Sequence, residues 1–174
     1  MTTRLLLIAD THIPGRARVL PDAVLQEADA ADLVIHAGDW VSAAVLDELE
    51  HRAEVLGVYG NNDGNDLRAR LPEVATRDVD GLRLAVVHET GDAKRRHSWA
   101  DAHFAATADV LVFGHSHIPW DTVTPRGLRL LNPGSPTDRR RQPQRTMMTA
   151  VADGGALRDV ALIALPDIPQ RDAG

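Results

Sequence analysis

Two imidazoles, His115 and His117, stand two residues apart in the stretch Gly114-His115-Ser116-His117. In extended backbone, residues at i and i+2 point to the same side. Both rings can therefore face one cleft, and neutral imidazole is a common ligand for borderline metal ions. An isolated His-x-His pair is more often two ordinary polar loop residues than a metal site, but this pair is not isolated. Asp10 and His12, Asp39, Asn61 and His88 each follow the end of a short apolar run, as the two histidines do. The set holds two carboxylates, one amide oxygen and four imidazoles. One zinc ion takes about four ligands, so seven suit two divalent ions that share a carboxylate about 3.5–4 Å from each other.

The elements that must position these residues can be read from the same runs. Residues 5–9, 33–36, 55–59, 82–87 and 110–113 are too short for helices and apolar enough for strands covered on both faces. Between the first three, residues 19–30 have helical spacing with Pro21 in the first turn, and Ser42 caps a helix over 43–52. This βαβαβ order predicts a parallel sheet, and ligands of such sheets bind beyond the carboxyl ends of the strands. The second half is richer in strands. The turn Asp80-Gly81 precedes strand 82–87, a charged loop covers 92–96, and a short helix covers 98–106. Hairpins pair 120–124 with 128–131 and 146–152 with 156–165, the latter across Asp153-Gly154-Gly155. Residues 166–174 read as a loosely held tail. No repeat or linker divides the chain, so residues 1–174 are read as one domain.

Composition bounds the function. The 44% hydrophobic and 25% charged content is ordinary for a globular chain. With no cysteine, disulfides and thiolate metal sites are excluded. No apolar run approaches the roughly 20 residues of a membrane span, and residues 1–4 enter a strand without a signal-peptide pattern. A cytoplasmic location away from membranes is expected. A net charge of −6 argues against stable nucleic-acid binding.

Asp10-x-His12, Gly38-Asp39, Gly60-Asn61-x-Asp63, His88 and Gly114-His115-x-His117, in this order, resemble the calcineurin-like metallophosphoesterase family. The chain's size and the loop Asn132-Pro133-Gly134-Ser135 resemble its small bacterial and archaeal phosphodiesterase branch. The resemblance spans roughly residues 4–163. It implies an α/β four-layer α-β-β-α sandwich of two mixed sheets flanked by helices. It also implies that Asp10, His12, Asp39 and His117 hold a first metal, and that Asp39, Asn61, His88 and His115 hold a second, with Asp39 as the bridge. The implied activity is hydrolysis of small phosphodiesters or cyclic nucleotides by a hydroxide bridging two divalent ions. Manganese is the first choice, and iron, nickel or zinc accept the same N and O donors. The expected partner is a small phosphoester substrate, and a homo-oligomer is compatible with the sequence. The alternative is a non-catalytic metal-binding scaffold, a use the same fold has in the eukaryotic retromer.

Two positions depart from the family pattern. Asn62 stands where the motif often has a histidine that contacts phosphate, and an amide donates a hydrogen bond but no proton. Asn62 and Asp63 are the expected catalytic residues, Asp63 acting behind the ligands. Glu89 follows His88 where glycine is common, and is expected to face solvent, with lining the site as the alternative. Trp40 and Trp120 could stack a nucleobase, but packing is the expected role. His36 is expected to be structural, with His51, His97 and His103 at the surface. Arg139-Arg140-Arg141 reads as a solvated charge run, with phosphate binding as the alternative. Arg16 and Arg18 also stand close enough to His12 in sequence to reach substrate.

Overall fold

The computed structural model describes residues 2–166. Its strands are β1 (Thr2–Ile8), β2 (Leu33–His36), β3 (Glu54–Gly57), β4 (Val74–Val79), β5 (Leu82–Val87), β6 (Val110–Val112), β7 (Trp120–Val123), β8 (Arg129–Asn132), β9 (Arg145–Asp153) and β10 (Ala156–Leu165). Its helices are α1 (Asp22–Ala30), α2 (Ala43–Glu50), α3 (Asn65–Arg70) and α4 (Arg96–His103), the last preceded by a 3-10 turn over Ala93–Arg95. Two five-stranded sheets run β10-β9-β1-β2-β3 and β4-β5-β6-β8-β7. Both are mixed: β1, β2 and β3 are parallel, as are β5, β6 and β8, while β9, β10, β4 and β7 pair antiparallel.

The four layers follow from alternation along the strands. Successive side chains of a strand point to opposite faces. In β1, Leu5 and Leu7 enter the core between the sheets with Ile35, Val86, Val112 and Met148. Leu6 and Ile8 point outward and pack beneath the helices with Val24, Leu46 and Leu49. On the other sheet, Ala85, Val87, Leu111 and Leu130 face outward to Ala100 and Trp99 of α4. A run such as Leu5-Leu6-Leu7-Ile8 is apolar throughout because both of its faces are covered.

Two elements were not expected from the sequence. In β4 only Ala75 and Val79 are buried, so its apolar alternation is faint, and it is held by antiparallel register with β5 across Asp80-Gly81. In α3 only Leu67 is buried, too little for a periodic signal. Helix α1 starts at Asp22 rather than residue 19, since Pro21 is its N-cap. Helix α4 starts within the expected charged loop and ends at His103. Apart from Pro166, the expected tail lies outside the described residues. No helix among those residues is long and apolar enough to cross a membrane.

Candidate metal centre

The seven candidate ligands leave the carboxyl ends of β1, β2, β3, β5 and β6 and meet at one edge of the sandwich. Five of them, Asp10, His12, Asp39, His115 and His117, have φ between 45° and 68°. L residues adopt this left-handed region at a cost and keep it at sites where the surroundings impose it. The close approach of the loops also requires glycine. A Cβ at Gly60 would lie 2.2 Å from Asp39 Oδ1 and 2.4 Å from Asp39 N.

Donor atoms fall into two overlapping groups. His12 Nε2 lies 3.2 Å from His117 Nε2, 3.9 Å from Asp10 Oδ1 and 3.6 Å from Asp39 Oδ2. His117 Nε2 is 3.5 Å from Asp10 Oδ1. In the second group, His88 Nε2 lies 3.0 Å from Asn61 Oδ1, 3.4 Å from Asp39 Oδ2 and 3.3 Å from His115 Nδ1. His115 Nδ1 is 3.1 Å from Asn61 Oδ1. Asp39 Oδ2 thus belongs to both groups.

These residues fit divalent ions. At ligand distances of about 2.0–2.2 Å, donors around one ion are spaced by roughly 3–3.5 Å. The ring tautomers agree. His117 Nδ1 donates to Asp138 O at 2.6 Å and His88 Nδ1 to Ala37 O at 2.7 Å. A carbonyl only accepts, so in the neutral rings Nε2 carries the lone pair that faces the group. Asp10 Oδ2 is buried without a hydrogen-bond partner, a costly state for a carboxylate oxygen that a cation relieves.

The electrostatics reflect this crowding. Burial pushes the Asp10 carboxyl up to about 8 and pushes His117 down to about 4. Burial also lowers His12. For Asp39, burial alone would raise the carboxyl, but hydrogen bonds from His88 and Asn62 and the His88 charge hold it below the usual carboxylate range. His88 is raised because its carboxylate neighbours outweigh burial. Neutral His12 and His117 leave their lone pairs available at neutral pH.

Asn62 and Asp63 sit differently. Asn62 donates from its backbone N to Asp39 Oδ1 at 2.9 Å and from Nδ2 to Asp39 Oδ2 at 2.6 Å. It reaches the shared carboxylate directly. Asp63 accepts from the backbone N–H groups of Asp39 at 3.1 Å, Gly60 at 2.7 Å and Val41 at 2.7 Å. It ties the β2 and β3 loops together from behind. Glu89 is exposed, as expected, and its Oε1 also lies 3.5 Å from His115 Nδ1 at the edge of the site. Trp40 is fully buried, stacked on His36 at 3.5 Å, and donates to Val58 O. His36 is a buried structural residue whose Nδ1 accepts from Gly38 N and whose Nε2 faces Thr11 Oγ1.

Sequence reasoning missed the supports around the first group. Ser135 Oγ donates to Asp10 O at 2.7 Å, Thr137 Oγ1 to Thr11 O at 2.7 Å, and Asn132 Nδ2 to Gly114 O at 2.9 Å. The loop after β8 therefore clamps the loops after β1 and β6. Its short polar side chains were the visible signal. Arg140 is exposed, as expected of a solvated run, and it also lines a cleft of about 400 Å³ with His12 and Asn62 and donates to His115 O. A second cleft, of about 410 Å³, opens on the Asn61 and His88 side.

The calcineurin-like phosphoesterase superfamily domain matches residues 3–155. A probable metallophosphoesterase of Methanothermobacter thermautotrophicus is 36% identical over 134 residues, 75% of this chain and 76% of that protein. A Thermotoga maritima protein solved by NMR superposes with a TM-score of 0.74 at 34% identity, over 94% of this chain and 99% of that one. The zinc complex of Vps29 from Entamoeba histolytica superposes with a TM-score of 0.73 at 21% identity, over 93% and 98% of the two chains, and shares the fold.

Proposed function

The chain belongs to the calcineurin-like phosphoesterase superfamily, and from that premise we propose that it is a two-metal phosphodiesterase acting on small phosphodiesters, cyclic nucleotides among them. The observation that carries the reading is the placement of Asp39 Oδ2, 3.6 Å from His12 Nε2 in one donor group and 3.4 Å from His88 Nε2 in the other. Asp10, His12, Asp39 and His117 would hold one ion, and Asp39, Asn61, His88 and His115 the other. Manganese is the first candidate for these N and O donors. When bound, the two ions supply Lewis acidity toward phosphoryl oxygens and lower the pKa of water.

The chain's own residues do the rest. The Arg140 guanidinium is fixed by its bond to His115 O and faces the cleft that His12 enters, where it pairs with a phosphate oxygen. Asn62 holds Asp39 in place and offers no proton, so leaving groups that need little protonation are favoured. The two clefts flank the donor groups on either side, which provides room for both ester substituents of a diester. Vps29 of this fold also forms a zinc complex, so metal-dependent turnover, and not metal binding, separates the enzyme from the scaffold reading.

The test is hydrolysis of bis-p-nitrophenyl phosphate by metal-stripped protein before and after manganese is added. Metal-dependent release that Asp39→Asn abolishes is expected. Wild-type protein that stays inactive with manganese, iron, nickel and zinc would leave the scaffold reading standing instead.

A further inference from the structure

The cleft on the Asn61 and His88 side has walls that metal chemistry does not require. The chain holds only three Trp, one Tyr and two Phe, yet Tyr59, Trp99 and Phe104 all line this cleft. The other rings are committed elsewhere. Trp40 and Phe113 are buried in the core, and Trp120 lines a separate cleft with Pro119 and Met148.

Each wall is built. On one side, the Arg68 guanidinium lies 4.4 Å from the centre of the Tyr59 ring. The guanidinium is pinned by donating to Asp63 O at 2.8 Å and Gly60 O at 3.1 Å. Those carbonyls belong to the turn that presents Asn61. On the other side, Trp99 of α4 stacks on His103 at 4.8 Å and meets Phe104 at 5.7 Å. Tyr59, Trp99 and Phe104 are each only half-buried, so apolar ring surface faces the opening. Aromatic and guanidinium planes held in this way bind flat π systems. Glu73 and Glu89 also line the cleft. Their carboxylates accept from exocyclic amino groups and repel a second phosphate.

We propose that this cleft is a subsite for the heteroaromatic ring of the substrate, a nucleobase, selected by Tyr59 and Trp99. Asn61 and His88 belong both to the cleft wall and to a donor group, so a phosphate at the donors leaves its nucleoside portion at the cleft. The assignment rests on the phosphoesterase reading for its chemistry, but ring binding can be measured without turnover.

The experiment is calorimetric binding of adenosine 5′-monophosphate and of ribose 5-phosphate to manganese-loaded protein, in wild type, Trp99→Ala, Trp99→Phe and Tyr59→Ala. Wild type should prefer the nucleotide by about tenfold or more, the scale of one base stacked on an aromatic side chain. Trp99→Ala should erase most of that preference and leave ribose 5-phosphate affinity unchanged, while Trp99→Phe should restore most of it. Equal affinity for the two ligands, binding of neither, or a preference that survives both alanine variants would overturn the subsite. Intact preference without metal-dependent hydrolysis of bis-p-nitrophenyl phosphate would keep the subsite and remove the phosphoesterase reading.

Discussion

His115 and His117 are two residues apart but serve different donor groups: His117 Nε2 faces Asp10 and His12, and His115 Nδ1 faces Asn61 and His88. Single-residue changes should therefore separate the two ions. His117→Ala and His115→Ala should each retain about one of two manganese ions after dialysis, while Asp39→Asn should retain neither tightly, as read by elemental analysis. Equal and complete loss in all three would argue against separate groups. Protons compete with the ions as well. In metal-free protein the Asp10 carboxyl, raised to about 8 by burial, keeps its proton at pH 7, and His88 is also raised. A carboxylate must lose that proton to bind an ion, so affinity should increase from pH 6 to pH 9. Calorimetry in buffers of different ionisation enthalpy should record proton release at pH 7 that fades by pH 9. Asn62→His should speed turnover of substrates with poor leaving groups by about tenfold, short of the roughly 10²–10⁴ of a fully positioned general acid. Unchanged rates across a leaving-group series would count against that location for the missing acid.

At the scale of elements, the site depends on how closely the loops after β2 and β3 approach. Gly60 passes so near Asp39 that any side chain collides with the shared carboxylate. Gly60→Ala should lose metal binding without changing any ligand, and isothermal titration with manganese should show it; retention of two ions at wild-type affinity would mean that the loops yield more easily than their packing implies. The ligand-bearing strand ends could be read in advance because their apolar runs give way within a few residues to Asp, Asn or His, in three cases behind a glycine. Strand β4 could not, since Thr76, Arg77 and Asp78 interrupt its apolar positions. Its existence depends on register with β5, a nonlocal pairing.

The whole molecule is held by the core between the sheets, where Ile35 is fully buried among Leu7, Val86 and Val112. Ile35→Ala should cost about 2–5 kcal/mol in urea unfolding, the range for such truncations. The donor groups lie past the strand ends, so this variant should still bind two ions under native conditions. Concerted loss of metal and stability would show that the site is more tightly coupled to the core than its position suggests.

By itself the sequence singled out the candidate donors and the parallel first half, because residue type and short apolar runs are local properties, while the layered fold was implied by the family its motifs resemble. Only tertiary structure brings these donors within reach of one another, since Asp10 and His117 are far apart in the chain and meet through two left-handed turns. It also placed the exposed Arg140 at the rim of a cleft and brought Tyr59 and Trp99 to one opening. No local pattern could do so, because a cleft forms from segments whose proximity is set by sheet order and packing.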